Sequence, residues 1–389
     1  MIYEKNIEQT LETFSFPRLS GTHHERKAFK LALKKIEDLD LDPQIQEFKF
    51  STFFSRVYPK LVFFLSFLLI FFLFLFGDIF GMRVLSLVII CIIFFLIFMM
   101  RKPEQVKLYK NLNSANIYVK LLSKQAIQQV KLKNNSEFFF FCHLDSKGQR
   151  FSLTKRVRAT RAWVFTLIIM IGFIFLRFFL YSYFFLFILL TGLIPLSINA
   201  ISTSILMLNT TNNNSSGVID NASGIACVYE LLRYYTKLES RLKHFNTWFV
   251  FTGSEECGTI GIRNFYKIMG NLDKKSVFII NFDAIGKNIF IFDSWFKPEG
   301  YIEFYKSFIN NKKGLMIFEN PKKITVGTHS DGYFLKKKFY QGFEFGDIAS
   351  YGFMHSDEDN LGKVDPKILK ALCEVIIENL KELDELHAK

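Results

Sequence analysis

Cysteine is scarce and scattered. Cys91, Cys142, Cys227, Cys257 and Cys373 form no CxxC or CxxxC pair, which excludes a structural zinc module and a disulfide framework. Charge is thin as well: 22% of residues are Asp, Glu, Lys or Arg against 50% hydrophobic, a balance that excludes a disordered chain. Eight prolines and 21 glycines in 389 residues exclude collagen-like architecture. Acidic residues are outnumbered 36 to 49, leaving +13. Taken alone, that surplus fits nucleic acid, an anionic membrane surface or a topology signal, and its distribution has to decide. What is abundant is Phe, with 48 residues, more than a soluble chain long enough for about two domains needs.

The apolar residues concentrate in two blocks. Leu61–Phe76 (LVFFLSFLLIFFLFLF) and Val84–Met100 (VLSLVIICIIFFLIFMM) carry no charge and are separated by a short turn-like stretch. Each is close to the length that spans a bilayer, so together they predict a helical hairpin. Trp163–Leu208 is a second block of 46 residues whose one charge is Arg177. It is too long for one span and suits two, with Arg177 near the turn, where it can snorkel to the interface. Neither block lies near enough to the N-terminus to be a signal peptide.

The rest reads as a soluble α/β protein. Glu137–Cys142, Thr247–Thr252, Ser276–Phe282 and Ile289–Phe292 are short apolar runs expected of buried strands. Ala28–Leu39, Gly224–Lys237 and Asp365–His387 have helical patterning, the last opened by Asp365-Pro366. Strands alternating with helices predict a largely parallel sheet. Asn209–Ser216 (NTTNNNSS) reads as a polar linker.

Five segments gather metal-type ligands at strand ends or before helices: His143-Leu144-Asp145-Ser146, Asp220-Asn221-Ala222-Ser223-Gly224, Glu255-Glu256, Asp283-Ala284 and His355-Ser356-Asp357. Singly, each suits a loop histidine, a helix cap or a solvated acidic pair. Jointly, two His and three carboxylates suit two divalent ions, with one carboxylate left over as a base.

In order and flanking residues, HLDS, DNASG, TGSEECGTIGIRNF, NFDAIG and HSDEDNLGKVD resemble the co-catalytic zinc aminopeptidases of metallopeptidase family 28, a group that includes glutamate-carboxypeptidase and glutaminyl-cyclase relatives. The stretch from Phe14, with its Pro-Arg-x-x-Gly turn, resembles the family's opening. The resemblance implies a three-layer α/β/α zinc-exopeptidase (phosphorylase/hydrolase-like) domain with a mostly parallel central sheet. It implies two Zn2+ ions, with Co2+ or Mn2+ as alternatives that ligand type does not separate. Asp220 would bridge them, His143 and Asp283 would complete one site, and Glu256 and His355 the other. Glu255 would be the general base and Asp145 would hold the His143 ring. A peptide would be the substrate, with an aminopeptidase the leading expectation. The alternatives are a single-zinc glutaminyl-cyclase-like enzyme and an inactive membrane scaffold of the same fold. The chain departs from the family at Thr328-His329-Ser330-Asp331-Gly332, where Gly332 replaces a larger residue and His329 suits either a site-lining or a loop role. His23, His24, His244 and His387 fall outside the motifs and read as surface residues.

The apolar blocks are then insertions. Residues 1–57, 101–162 and 209–389 would form the peptidase domain, and 58–100 and 163–208 two transmembrane hairpins. His143 and Asp220 must meet, so the block between them crosses the membrane an even number of times, and four spans place all soluble pieces on one side. Arg56, Lys60, Arg101, Lys102, Lys107, Lys110, Lys155, Arg156, Arg158 and Arg161 flank the spans on the domain side, against Arg83 and Arg177 opposite. This predicts a multi-pass membrane protein in the lipid bilayer with a cytoplasmic catalytic domain. It also accounts for most of the +13 without nucleic acid.

Overall fold

The central strands form because their sequences leave no polar face to expose. Ser136–His143 (SEFFFFCH) and Phe245–Thr252 (FNTWFVFT) are buried along almost their whole length, as expected of strands covered on both sides. The computed structural model describes residues 1–128, 136–292, 317–319 and 330–386. Among the described residues, the eight strands of the large sheet are β1 (Gln44–Ser51), β2 (Asn111–Leu121), β3 (Ser136–His143), β4 (Phe245–Thr252), β5 (Val277–Phe282), β6 (Ile289–Phe292), β7 (Ile317–Glu319) and β8 (Gln341–Gly346). They make one sheet in the order β1-β2-β4-β3-β5-β8-β6-β7. The pairs β4–β3, β3–β5, β5–β8 and β6–β7 are parallel, whereas β2–β4 and β8–β6 are antiparallel. The sheet is thus mostly parallel, as expected.

Alternation along β3 separates the two faces. Phe138 and Phe140 join a core with residues of α1 (Glu4–Phe14), α2 (His23–Glu37), α6 (Ser223–Thr236) and α9 (Pro366–Leu386). Phe139 and Phe141 join a core on the other side with Ile262, Phe265 and Met269 of α7 (Ile260–Met269) and Phe334 and Leu335 of α8 (Asp331–Lys337). Aromatic stacking reinforces both faces: Phe139 on Trp248 at 5.1 Å and Phe140 on Phe249 at 5.1 Å between ring centroids. Helices therefore cover both sides of the sheet. Helix α9 starts as predicted, with Asp365 Oδ1 accepting from Lys367 N at 2.9 Å.

The chain divides into two units: residues 1–50, 112–148 and 212–389, which contain this fold, and residues 51–111 and 149–211. The divisions fall outside the ends of the apolar blocks, because the second unit takes in the polar chain that flanks its helices. That unit holds four helices long and apolar enough to cross a membrane: Phe53–Phe76, Phe80–Met99, Leu153–Phe179 and Phe184–Leu208. The first stretch contains α3 (Tyr58–Phe76), the second is α4 (Phe80–Met99), and the last two lie within one continuous helical segment, α5 (Leu153–Leu208). Within α5, Asn199 Nδ2 donates to Trp163 O at 3.1 Å and Thr166 Oγ1 at 2.9 Å. A straight helix would hold residues 36 apart at a distance of about 54 Å, so α5 doubles back into the expected hairpin. Phe63 meets Trp163 and Phe74 meets Phe173, which sets α3 alongside the first arm of α5 in the same direction. The basic residues at the start of α3, the end of α4 and the start of α5 therefore gather at one end of the bundle. At the other end Arg177 does not reach freely for an interface. It is buried and paired with Asp78, because a neutralising partner costs less than an unpaired guanidinium in an apolar bundle.

Candidate metal centre

Every expected ligand is carried by a loop at the C-terminal edge of the sheet or by the chain leading into a helix. His143 ends β3. Glu255 and Glu256 form a turn after β4, Asp283 follows β5, and Asp220 precedes α6. The structure brings these residues together with His355. His143 Nε2 lies 3.0 Å from Asp220 Oδ1 and 3.4 Å from Asp283 Oδ1. His355 Nε2 lies 3.0 Å from Asp220 Oδ2 and 3.0 Å from Glu256 Oε1. The five thus resolve into two triads, His143–Asp220–Asp283 and Asp220–Glu256–His355, with the ligand atoms of each within 4.8 Å of one another. Asp220 presents one carboxylate oxygen to each.

Backbone conformation aims these groups. Ser254, Ala284 and His355 all take positive φ, at 54°, 62° and 62°. Each such non-glycine residue costs on the order of 1–3 kcal/mol, and clustering of this kind is typical of sites whose surroundings over-determine them. Gly217, at φ 63°, begins the turn into Asp220, and a Cβ there would stand 2.5 Å from that of Ser146. Only glycine fits both the angle and the space. Within DNASG, Asn221 Nδ2 donates to Phe282 O at 2.8 Å and its Oδ1 accepts from Gly224 N at 3.0 Å. Asn221 thereby ties the Asp220 turn to the end of β5.

Asp145 touches both the His143 ring and the Glu255–Glu256 turn. The nearest acceptor to His143 Nδ1 is the Asp145 backbone carbonyl, at 3.0 Å, with the carboxylate at 3.5 Å. The carboxylate instead accepts from Glu255 N and Glu256 N, both at 3.0 Å, and from Ser20 Oγ at 2.5 Å. It therefore fixes the Glu255–Glu256 turn, while its own backbone orients the imidazole.

Several site-supporting residues escaped the sequence reading. Glu25 of α2 accepts from Ser254 N at 3.0 Å, Ser114 Oγ at 2.7 Å and Gly21 N at 2.6 Å, and so braces the residue before Glu255. Asp359 accepts from Ile219 N at 2.6 Å, next to Asp220. Arg18 is fully buried and gives its donors to carbonyls of Leu144, Phe14, Phe16, Ser216 and Gly217. Lys147 pairs with Glu256 Oε2. At Gly332 the missing side chain is explained: a Cβ would lie 2.2 Å from Glu344 Oε2, and Glu344 is held there by Ser330 Oγ at 2.5 Å and Asn281 Nδ2 at 3.1 Å. His329 and His387 lie outside the described residues. His24 contacts Asn213 at 3.1 Å and His244 contacts Asp384 O at 2.9 Å, so these two are anchored rather than free surface groups. Asn213 also accepts from Leu19 N at 2.8 Å, which makes the polar linker part of the fold. None of the five cysteines is in a disulfide among the described residues.

The electrostatics follow from burying many carboxylates together. Burial pushes the Glu255 carboxyl well above its usual range, opposed by His143 and assisted by Glu256 and Asp283. Burial and Asp283 push Glu344 up to about 8, and burial and the Asp145 charge push Glu25 up to about 7. Burial would raise Asp220 too, but its contacts with His143 and His355 outweigh it and hold the carboxyl well below the usual range. Such an acidic, dry cluster is suited to cations. Two of its buried atoms, His143 Nε2 and Glu256 Oε1, face other ligand atoms at 3.0 Å without a well-oriented hydrogen bond, a rare state for polar atoms. One imidazole nitrogen and two carboxylates in each triad form a donor set that fits zinc or a similar divalent ion.

Residues 201–380 match the model of Peptidase family M28. That stretch is similar to M28 peptidase sequence. It contains Asp220, Glu255, Glu256, Asp283 and His355, while His143 and Asp145 lie ahead of it. No curated protein matches the chain significantly. Among solved structures the chain is similar to an aminopeptidase from Aneurinibacillus sp. strain AM-1, with TM-score 0.56, 12% identity, and 98% of this chain and 94% of that one covered. It is likewise similar to BSAP, a zinc aminopeptidase from Bacillus subtilis, with TM-score 0.54, 12% identity and coverage of 98% and 95%. A glutaminyl cyclase from Fimbriiglobus ruber gives TM-score 0.52, 12% identity and coverage of 97% and 93%. At these identities the likeness is one of fold.

Proposed function

We propose that this chain is a membrane-anchored di-zinc exopeptidase of M28 type, acting as an aminopeptidase on peptide substrates. The observation that carries the proposal is the pair of triads sharing Asp220, with Glu255 beside them in neither. His143, Asp220, Asp283, Glu256 and His355 would hold the two divalent ions, which would supply a more acidic bound water and polarisation of the scissile carbonyl. Glu255, which belongs to neither triad, would serve as the general base that takes a proton from the attacking water and returns it to the leaving amine. Asp145 keeps Glu255 in place through the backbone, and Glu25 keeps Ser254 in place behind it. The glutaminyl-cyclase-like alternative needs only one ion, and the presence of His143 and Asp283 as a complete second triad favours the peptidase.

The test is metal content and turnover on the full-length protein in detergent. Two zinc-like ions per chain, with hydrolysis of aminoacyl anilides, is the expected result. A single ion with cyclisation of N-terminal glutamine would replace this reading by the cyclase, and no ion after zinc reconstitution would leave the inactive scaffold.

The gathering of ten basic residues at one end of the helical bundle supports a cytoplasmic orientation for that end. In a Cys91→Ser background, Asp78→Cys should react with an impermeant thiol reagent on intact cells and Lys107→Cys only after permeabilisation. The opposite pattern reverses the topology.

A further inference from the structure

The two triads share Asp220 but sit in different electrostatic surroundings. Around His143 the adjoining groups are a carbonyl and a carboxylate of Asp145, at 3.0 Å and 3.5 Å from Nδ1. The Glu256 triad has a resident cation. Lys147 Nζ binds Glu256 Oε2, leaving Oε1 to face His355 Nε2 at 3.0 Å. The Lys147 side chain is 18% exposed and that of Glu256 5%, so solvent screens this charge weakly. Among the described residues no lysine or arginine forms such a pair with His143, Asp220 or Asp283. Arg18, the other buried cation nearby, spends its donors on backbone carbonyls.

We infer that the centre loads unequally: the His143–Asp220–Asp283 triad takes the first divalent ion tightly, and Lys147 weakens the Asp220–Glu256–His355 triad. The inference rests on the two-ion reading above. Lys147 acts in two ways. It engages one of the two oxygens Glu256 can offer, and it sets a positive charge a few ångströms from an incoming dication, where repulsion in a partly dry site is substantial. Lys147 is itself no ligand. It is a positioning residue in the Asp145–Gly148 loop, and it sets the metal concentration at which the second ion arrives. When metal is limiting, the chain would hold one ion.

Zinc titration of metal-free, full-length protein in detergent, read by competition with a chromophoric chelator, tests this without reference to activity. Wild-type protein should show two sites of separated affinity. Lys147→Met should tighten the weaker site by about tenfold or more, a change equal to about 1.4 kcal/mol, with the first site unmoved, and Lys147→Arg should restore the separation. Lys147→Gln serves the same comparison if the Met variant is recovered unfolded. Equal affinities in the wild type, or a second site indifferent to Lys147→Met, would overturn the inference while leaving the two-ion centre standing. Failure of the wild type to take up zinc at all would overturn both.

Discussion

Replacing Glu255 with Gln is expected to lower kcat by roughly 100- to 10,000-fold, the usual worth of a positioned general base, with bound metal unchanged. Glutamine keeps the volume and the backbone hydrogen bond from residue 255 to Asp145, but it cannot take up a proton. Glu255 belongs to neither triad, so zinc content measured on the same preparation should stay at the wild-type value. The pairing of these two readouts gives the experiment its force. Loss of turnover together with loss of metal would mean that Glu255 is a ligand, and full turnover would remove it from the chemistry.

A comparably large effect is expected at Asp220. Its two oxygens face different imidazoles, Oδ1 toward His143 and Oδ2 toward His355, each at 3.0 Å. Asp220→Asn removes the shared charge from both triads at once and leaves each with one imidazole and one carboxylate. Bound metal should fall from two ions to none, and activity should fall with it. The melting temperature gives an independent readout: an ion that binds only the folded protein adds about 2.7 kcal/mol of stability at 100 times its Kd. Wild-type melting should therefore climb with added zinc, while that of Asp220→Asn stays flat. A variant that retains both ions would show that Asp220 does not bridge them.

The parts legible in sequence are those whose signal is local. An unbroken apolar run marks an element hidden from water on all sides, and its length separates strands from membrane helices, so β3, β4 and β5 and all four long helices stand out from composition and length. Strands such as β1 (QIQEFKFS) and β8 (QGFEFG) mix polar and apolar residues and carry no such mark. The proposed ligands are legible because they sit in short strings, most of them at strand ends. Their supports are not. Glu25 occupies the first turn of α2, where an acidic residue is ordinary, and its role depends on Ser254, 229 residues away. Lys147 looks like any loop lysine until Glu256, 109 residues on, folds against it. Asp145 was found, but its carboxylate serves a turn 110 residues distant more closely than the neighbouring imidazole. Long-range pairing of this kind has no periodicity and no motif to betray it.

The interleaving of the sheet has a consequence for how the protein is made and lost. Strand β3, from the stretch between the hairpins, lies between β4 and β5, which come from the last stretch of chain. Its parallel partners do not exist until after the second hairpin has been synthesised. The ribosome must therefore deliver both hairpins before the sheet can close, and the Phe-rich β3 has to be kept from straying in the meantime. The mature unit is in turn joined to the helical unit at four points along the chain. A single proteolytic nick would not release it as a soluble enzyme, as it would a domain hung from one terminal anchor.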